Sequence, residues 1–210
     1  AYGWMAEQTG HADEGREYLE LARSYAKQWV QMADDGDHTR LAFDRPDTWS
    51  QKYNLVWDRI LGLSLFPPEI ARREAAYYRK TANDYGVPLD SRHVFTKLDW
   101  SIWGASLSDD RAGFEGLIDY VYRFLNETPQ RIPGCDLYLT DKPQGLSMYA
   151  RPVVGGAFVR MLMDPGIWRR WTARGAKAPG QWAAFPTPPK YKVVVATAET
   201  AAARWRYTFE

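Results

Sequence analysis

The chain has 210 residues, which is long enough for one large domain with a substantial hydrophobic core. Its 27 basic and 26 acidic residues nearly cancel, and no long basic block is present, so the composition argues against a nucleic-acid partner. No apolar run approaches the roughly 20 residues that span a bilayer, so we expect no membrane partner. The single cysteine, Cys135, excludes an intrachain disulfide and a cysteine-based zinc cluster, and the three histidines lack metal-ligand spacing. We therefore expect no metal and no other cofactor.

The main body of the chain alternates between two kinds of predicted helix. Apolar residues at helical spacing predict amphipathic outer helices over residues 14–33, 69–80 and 111–126. Other segments are apolar on most sides, which predicts buried inner helices over residues 50–63, 96–107 and 147–163. Repeated pairs of an inner and an outer helix are typical of helical hairpins in an α/α toroid or a solenoid.

After Lys177 the composition changes to a Pro-rich link followed by a β-rich run at residues 192–197. We predict a helical-hairpin toroid of about four hairpins over residues 1–177. Residues 178–210 are predicted to form an extended, β-like C-terminal strap packed on the same domain. The predicted fold class is thus all-α, with helical hairpins in a partial (α/α)6-type toroid.

The first inner helix carries a polar stripe. Asp47 or Thr48 can cap this helix, and Gln51, Asn54 and Asp58 fall on one side of it. Polar side chains on a buried helix must face either a water-filled cavity or an internal hydrogen-bond network, because buried polar groups without partners are costly. The stripe alone leaves both interpretations open.

Long strings carry a family likeness, in order along nearly the whole chain. They are FDRPDTWSQKYNLVWDRILGLSLFP, YGVPLDSRHVFTKLDWSIWGASL, NETPQR, ARPVVGGAFVRML and the tail from residue 180. With these strings the chain resembles the six-helical-hairpin domain of the fungal glutaminase A family and its bacterial relatives. The resemblance implies a fold similar to the α/α toroids of glycoside hydrolases, glutamine amide hydrolysis, and a secreted or periplasmic location.

Members of that family are much longer, so the chain resembles their C-terminal part. This implies that it forms a homo-oligomer or associates with the missing N-terminal part, which would cover the exposed edge of an open toroid.

In α/α toroids the pocket forms at one end of the inner helices, so we compare the three helix starts. The candidate substrate-binding residues there are Trp49, Gln51, Lys52, Tyr53, Asn54, Arg92, Lys97, Trp100 and Arg151. Basic side chains among aromatic rings suit a small anionic or zwitterionic substrate, and arginine holds a carboxylate in a two-point grip. The expected partner is thus a small molecule, either an amino acid or a sugar.

The candidate catalytic residues are Asp99, Asp58 and Asp44. Amide hydrolysis needs a base, for which Asp99 or Asp58 is a candidate, and a donor to the developing oxyanion, such as Lys97 or Tyr53. Glycoside hydrolysis needs two carboxylates roughly 5 to 10 Å apart, and the three aspartates supply such a pair equally well.

Structural roles compete with these catalytic ones. Thr96 to Asp99 fits a capping box, and Arg151 can simply pair with Asp44 or Asp58. The sequence therefore leaves three functions open: a glutamine amidohydrolase, a glycoside hydrolase, and a noncatalytic fragment or carbohydrate-binding scaffold.

Overall fold

The structure, a computed structural model, describes residues 1–175. Its α-helices are α1 (Tyr2–Gln8), α2 (Ala12–Ala33), α3 (Val56–Ile60), α4 (Pro68–Thr81), α5 (Leu98–Ala105), α6 (Arg111–Glu127) and α7 (Pro165–Gly175). Two 3-10 helices cover Tyr53–Leu55 and Pro152–Met163, and three strands are β1 (Phe95–Lys97), β2 (Cys135–Leu139) and β3 (Gly145–Tyr149). Residues up to Pro165 form one compact unit. Within the described part of the chain, no helix is both long and apolar enough to cross a membrane.

The predicted mostly helical architecture with helical hairpins is confirmed. α1 packs on α2, and α5 packs on α6. The toroid stays a prediction, as does the boundary at residue 177, and the predicted strap over residues 178–210 lies outside the described residues.

The three outer helices lie close to where the periodicity predicts them, as α2, α4 and α6. Residues in and before the first turn explain where α4 and α6 begin. Pro68 occupies the first turn of α4, where its missing N–H costs nothing. Asp110 caps α6, because its carboxylate accepts a hydrogen bond of 2.6 Å from the Gly113 backbone N–H.

The prediction of an inner helix over residues 50–63 is wrong over its first part. Trp49 and Gln51 instead pair with the chain around residues 89–91: the Gln51 N–H donates to the Leu89 carbonyl at 2.7 Å, and the Ser91 N–H donates to the Trp49 carbonyl at 3.0 Å. This distant pairing holds residues 49–51 in an extended conformation, so neither Asp47 nor Thr48 caps a helix. The polar stripe is accordingly split between this extended segment and the short helices that follow it.

The other two inner helices are also shorter than predicted, because a small sheet takes their first residues. β1 pairs antiparallel with β2, with Lys97 opposite Leu137, and β2 pairs antiparallel with β3. The purely α-helical class is therefore corrected to a mostly helical fold with a three-stranded antiparallel sheet in the order β1-β2-β3. The central strand β2 lies within residues 128–144, a stretch that contains several Pro and Gly residues.

α5 lies at the centre of the compact unit. It packs against α6, the sheet and the 3-10 helix at Pro152–Met163. The closest approach to that 3-10 helix is at Gly156, whose carbonyl accepts a hydrogen bond of 2.9 Å from the Trp103 indole. A Cβ atom on Gly156 would lie only 3.1 Å from the Asp99 Cβ, so the absence of a side chain permits this contact.

The first hairpin depends on two facing glycines, which yields a stability prediction. A Cβ atom on Gly15 would lie 2.9 Å from the Gly3 carbonyl oxygen, which is closer than such atoms approach. We expect Gly15→Ala to push α1 away from α2 and lower the free energy of unfolding by about 1 to 3 kcal/mol in urea titrations. Gly116 in α6 is the matched control, because a methyl group there meets nothing within 4 Å. Gly116→Ala should raise that free energy by about 0.5 to 1 kcal/mol, and equal losses in both variants would contradict the account.

Candidate functional site

A cleft of about 570 Å³ opens where residues 50–55 meet residues 89–100. This volume is within the range typical of small-molecule sites. The lining residues are Trp29, Leu41, Ser50, Gln51, Lys52, Tyr53, Asn54, Leu55, Phe66, Leu89, Asp90, Arg92, Phe95 and Trp100. We call this space the aromatic cleft, because five of its residues carry aromatic rings. It brings together six of the nine predicted substrate-binding residues.

One wall of the aromatic cleft is a stacked pair of rings. The Tyr53 and Trp100 rings are parallel to within 9°, with centroids 4.3 Å apart. The Lys97 ammonium nitrogen lies 4.6 Å from the centroid of the Trp100 ring, which is a cation–π contact. This contact joins the cleft wall to a charged cluster described below.

The polar residues of the cleft differ in what they have left to offer a ligand. The Gln51 amide is buried and donates to the Val87 and Pro88 carbonyls, at 2.7 and 3.1 Å, so it serves an internal hydrogen-bond network. Among the described residues, the Asn54 amide makes no side-chain hydrogen bond, and Asn54 is exposed at the cleft. Asn54 is therefore the cleft residue whose side chain is most available to a ligand.

Lys52 is held by the protein itself. Its ammonium donates to the Ser50 hydroxyl at 2.6 Å, the Arg40 carbonyl at 3.0 Å and the Ser50 carbonyl at 3.1 Å. Burial lowers the pKa of Lys52 to about 8, because desolvation disfavours the ammonium, although the Glu74 and Asp90 charges oppose this effect. Together with a longer contact of 3.4 Å to the Thr39 carbonyl, these hydrogen bonds occupy the ammonium and fasten the loop at residues 39–50.

Arg92 is also committed to a neighbour. Its guanidinium grips the Asp90 carboxylate at two points, 3.0 and 2.8 Å, as a fork-like pair. That hydrogen-bonded pair lowers the pKa of Asp90. A substrate carboxylate at Arg92 would have to compete with Asp90.

A buried pair of carboxyl groups includes Asp99, the residue before Trp100 in the sequence, although neither member of the pair lines the aromatic cleft. Asp99 is in the first turn of α5 and is 5% exposed, and Asp136 is on β2 and is 1% exposed. They meet because Lys97, the last residue of β1, pairs with Leu137, so Asp136 lies opposite the point where α5 begins. We call Asp99 and Asp136 the acid pair.

Two cations hold the acid pair on the Asp136 side. The Lys97 ammonium and the Arg151 guanidinium each lie 3.3 Å from Oδ2 of Asp136. Oδ1 of Asp99 and Oδ1 of Asp136 are both buried and have no hydrogen-bond partner. Asp136 thus has two cationic partners, while one oxygen of each carboxyl is left for a proton or a water molecule.

This arrangement raises the pKa of Asp99 to about 6. The largest cause is desolvation, which disfavours its charged form; the nearby Asp136 carboxylate adds to the effect, while the positive charge of Lys97 opposes it. A carboxyl group with this pKa both accepts and releases a proton near neutral pH, as a general acid–base catalyst must.

The other predicted carboxylates lie elsewhere. Asp58 accepts hydrogen bonds from the Leu65 and Phe66 backbone N–H groups, at 2.9 and 3.3 Å, and so stabilises the turn after α3. Asp58 lines a second cleft and Asp44 an exposed third one, so neither lines the aromatic cleft or belongs to the acid pair. Trp49 packs edge-on against Tyr77, with ring centroids 5.7 Å apart, and does not line the aromatic cleft.

Two structural interpretations from the sequence are wrong. Thr96 lies in β1, and α5 begins after Lys97 without a side-chain cap, so Thr96 to Asp99 form no capping box. Arg151 contacts Asp136 and does not pair with Asp44 or Asp58.

Asp136 is the site residue that sequence reasoning missed. Its signal is weak: Asp136 and Tyr138 alternate with Leu137 in a five-residue strand, and both fall on the buried face. The alternation places Asp136 on the buried face of the strand. A buried carboxylate requires a partner, and this requirement is the signal in the sequence.

The family model for the glutaminase A six helical-hairpin domain matches residues 1–161. The chain belongs to this family. It is 35% identical over 166 residues to a protein named Glutaminase A from Aspergillus oryzae (strain ATCC 42149 / RIB 40), a match that covers 74% of the chain and 23% of that relative. It is 27% identical over 192 residues to a protein named "Probable glutaminase/05536" from Arthroderma benhamiae (strain ATCC MYA-4681 / CBS 112371), covering 76% of the chain and 22% of that relative. The chain thus spans less than a quarter of the length of these relatives. No solved structure matches it significantly.

The raised pKa of Asp99 predicts a pH dependence of stability. The folded chain holds the Asp99 proton more tightly than the unfolded chain, so between about pH 4 and pH 6 the folded state binds more protons, and the free energy of unfolding falls as the pH rises. We expect urea titrations between pH 4 and pH 7 to show this fall, and Asp99→Asn to reduce it by about 1 kcal/mol after allowance for solvent screening. Asp44→Asn, an exposed control, should follow the wild type. The same pH dependence in wild type and Asp99→Asn would contradict the account.

Proposed function

We propose that this chain carries a glutaminase-type hydrolytic site, in which the aromatic cleft binds a small amino-acid amide and Asp99 transfers protons. The family membership and the names of both relatives support the amide substrate. The observation that carries the assignment to Asp99 is its burial in the first turn of α5 with Oδ1 left without a hydrogen-bond partner, which raises its pKa to about 6.

The aromatic cleft suits the non-reacting part of such a substrate. Its rings contact the aliphatic chain of an amino acid, and the free amide of Asn54 offers both a hydrogen-bond donor and an acceptor. Arg92 and Asp90 together present a positive and a negative group to a zwitterion, at the cost of weakening their own pair.

In the reaction, the ionised Asp99 accepts a proton from a water molecule, whose oxygen then attacks the amide carbon. The same proton passes to the amide nitrogen as the carbon–nitrogen bond breaks, so the products are a carboxylic acid and ammonia, and the proposed steps need no cofactor. Partial burial raises the pKa of the Tyr53 phenol, and the negative charge of Asp99 adds to this effect. A protonated phenol there serves as the donor to the developing oxyanion.

The acid pair does not favour a glycoside hydrolase. Asp99 and Asp136 are both almost completely buried, whereas a glycosidase places its two carboxyl groups on either side of the substrate bond that it cleaves, roughly 5 to 10 Å apart. Asp44 and Asp58, the other carboxylates considered for that role, line separate clefts. Neither relative is named as a glycosidase.

Ammonia release from L-glutamine tests the proposal. We expect activity that rises with pH through about 6, because the base must be ionised, and Asp99→Asn should reduce kcat by about 100-fold or more. Asp136→Asn should behave differently: it removes the charge that helps to raise the Asp99 pKa, so the acidic limb of the profile should move down by about one pH unit while activity persists.

Asp44→Asn is the control, since Asp44 is exposed in a separate cleft and should leave the profile unchanged. Full activity in Asp99→Asn would remove this residue from the mechanism. Failure of the folded wild-type chain to release ammonia would contradict the proposal, and retained sugar binding in that case would indicate a noncatalytic scaffold.

A further inference from the structure

Helix α2 carries apolar residues on two different faces. Gly15, Leu19, Ala26 and Ala33 are buried. A second row of large apolar side chains points to solvent: Tyr18, Leu21, Tyr25 and Met32 are 44%, 46%, 60% and 45% exposed. We call this second row the α2 seam.

The spacing of the α2 seam indicates the shape of its partner. Its residues follow one another at intervals of three, four and seven, which are the a and d positions of a heptad. A narrow stripe of this kind packs along the matching stripe of another helix. Tyr2 of α1, which is 78% exposed, widens the seam at its N-terminal end, with its ring centroid 5.9 Å from that of Tyr18.

The size of the α2 seam is enough for a dimer. Five partly exposed large side chains present an area on the order of 500 Å². Two copies together would bury about 1,000 Å², which is the lower bound for a specific protein–protein interface.

The charges beside the seam determine the orientation of the partner. Glu14 and Glu17 lie at its N-terminal end, whereas Gln31 lies beside its C-terminal end and Gln28 occupies the d position between Tyr25 and Met32. A parallel pair of α2 helices would place the glutamates of both copies side by side, and like charges at this distance repel. An antiparallel pair places Glu17 of one copy near Gln31 of the other. It also makes the two helix dipoles point in opposite directions.

We propose that the α2 seam is a dimer interface with a second copy of this chain, in which the two α2 helices pack antiparallel about a two-fold axis. In the register that pairs a positions with d positions, Leu21 of each copy packs against Tyr25 of the other, next to the axis. This inference is independent of the proposed hydrolytic activity.

The molar mass from light scattering, measured from about 5 to 500 μM, tests the interface. The wild type should shift from monomer to dimer as its concentration rises, and Leu21→Glu should stay monomeric, because it places a charge at the centre of the seam. Tyr122→Glu is the matched control on α6: Tyr122 is 67% exposed and lies outside the seam, so this variant should dimerise like the wild type. Circular dichroism melting checks that all three chains are folded.

A wild type that stays monomeric throughout would overturn the proposal and leave the seam to a helix from elsewhere in the longer family protein. A dimer that survives Leu21→Glu, or that is lost equally in Tyr122→Glu, would also overturn it.

Charge substitutions test the antiparallel orientation. Gln31→Lys should strengthen the dimer and Gln31→Glu should weaken it, each by about threefold in Kd, because Glu17 of the partner faces this position. Both effects should disappear in a Glu17→Gln background. Equal Kd values for Gln31→Lys and Gln31→Glu would overturn the antiparallel arrangement.

Discussion

The candidate site depends on one backbone constraint, the antiparallel pairing of β1 with β2. Only three residue pairs make up this ladder, from Phe95 opposite Leu139 to Lys97 opposite Leu137. β1 leads directly into α5, so the pairing fixes Asp136 beside the first turn of that helix. Two carboxyl groups that are 37 residues apart in the sequence are thereby buried together, and one of them directly precedes Trp100 of the aromatic cleft.

Burial of two carboxyl groups is costly, and the surroundings explain how it is tolerated. Lys97 and Arg151 both contact Asp136 and compensate its burial, whereas desolvation raises the pKa of Asp99. Lys97 also lies over the Trp100 ring, whose other contact is the Tyr53 ring of the cleft. The cation that stabilises Asp136 therefore also orders the wall against which a substrate would lie. The raised pKa lowers the free energy of unfolding near neutral pH, and it provides the site with a group that can accept and release protons.

The sequence predicts those features that local interactions determine. The outer helices α2, α4 and α6 follow from apolar periodicity, and the lining of the aromatic cleft follows in large part from residues clustered near Lys52 and Trp100. The inner helices are predicted too long because tertiary pairing competes with helix formation: the Gln51 N–H bonds to Leu89, and residues 95–97 join the sheet. Such pairing leaves no periodic signal in a single segment.

The dependence on distant pairing also explains which site residues can be recognised from the sequence and which cannot. Asp99 stands out as a carboxylate at the start of an apolar helix, whereas Asp136 lies in a stretch rich in Pro and Gly whose short strand is stabilised by distant partners. Arg151 is recognisable as a site residue, but its partner is not, since the choice among Asp44, Asp58 and Asp136 depends on the register of the sheet. Lys52 illustrates the converse: a basic residue in the cleft can be occupied by backbone carbonyls and a neighbouring hydroxyl, which no motif reveals.

The most direct test of this account is a carbon NMR titration of the Asp99 carboxyl group, in the wild type and in Asp136→Asn. The account predicts a pKa of about 6 in the wild type and a clearly lower value once the Asp136 charge is removed. An Asp99 pKa near 4 in the wild type, or a raised value that the Asp136 substitution leaves unchanged, would contradict the claim that the acid pair is the centre of the site.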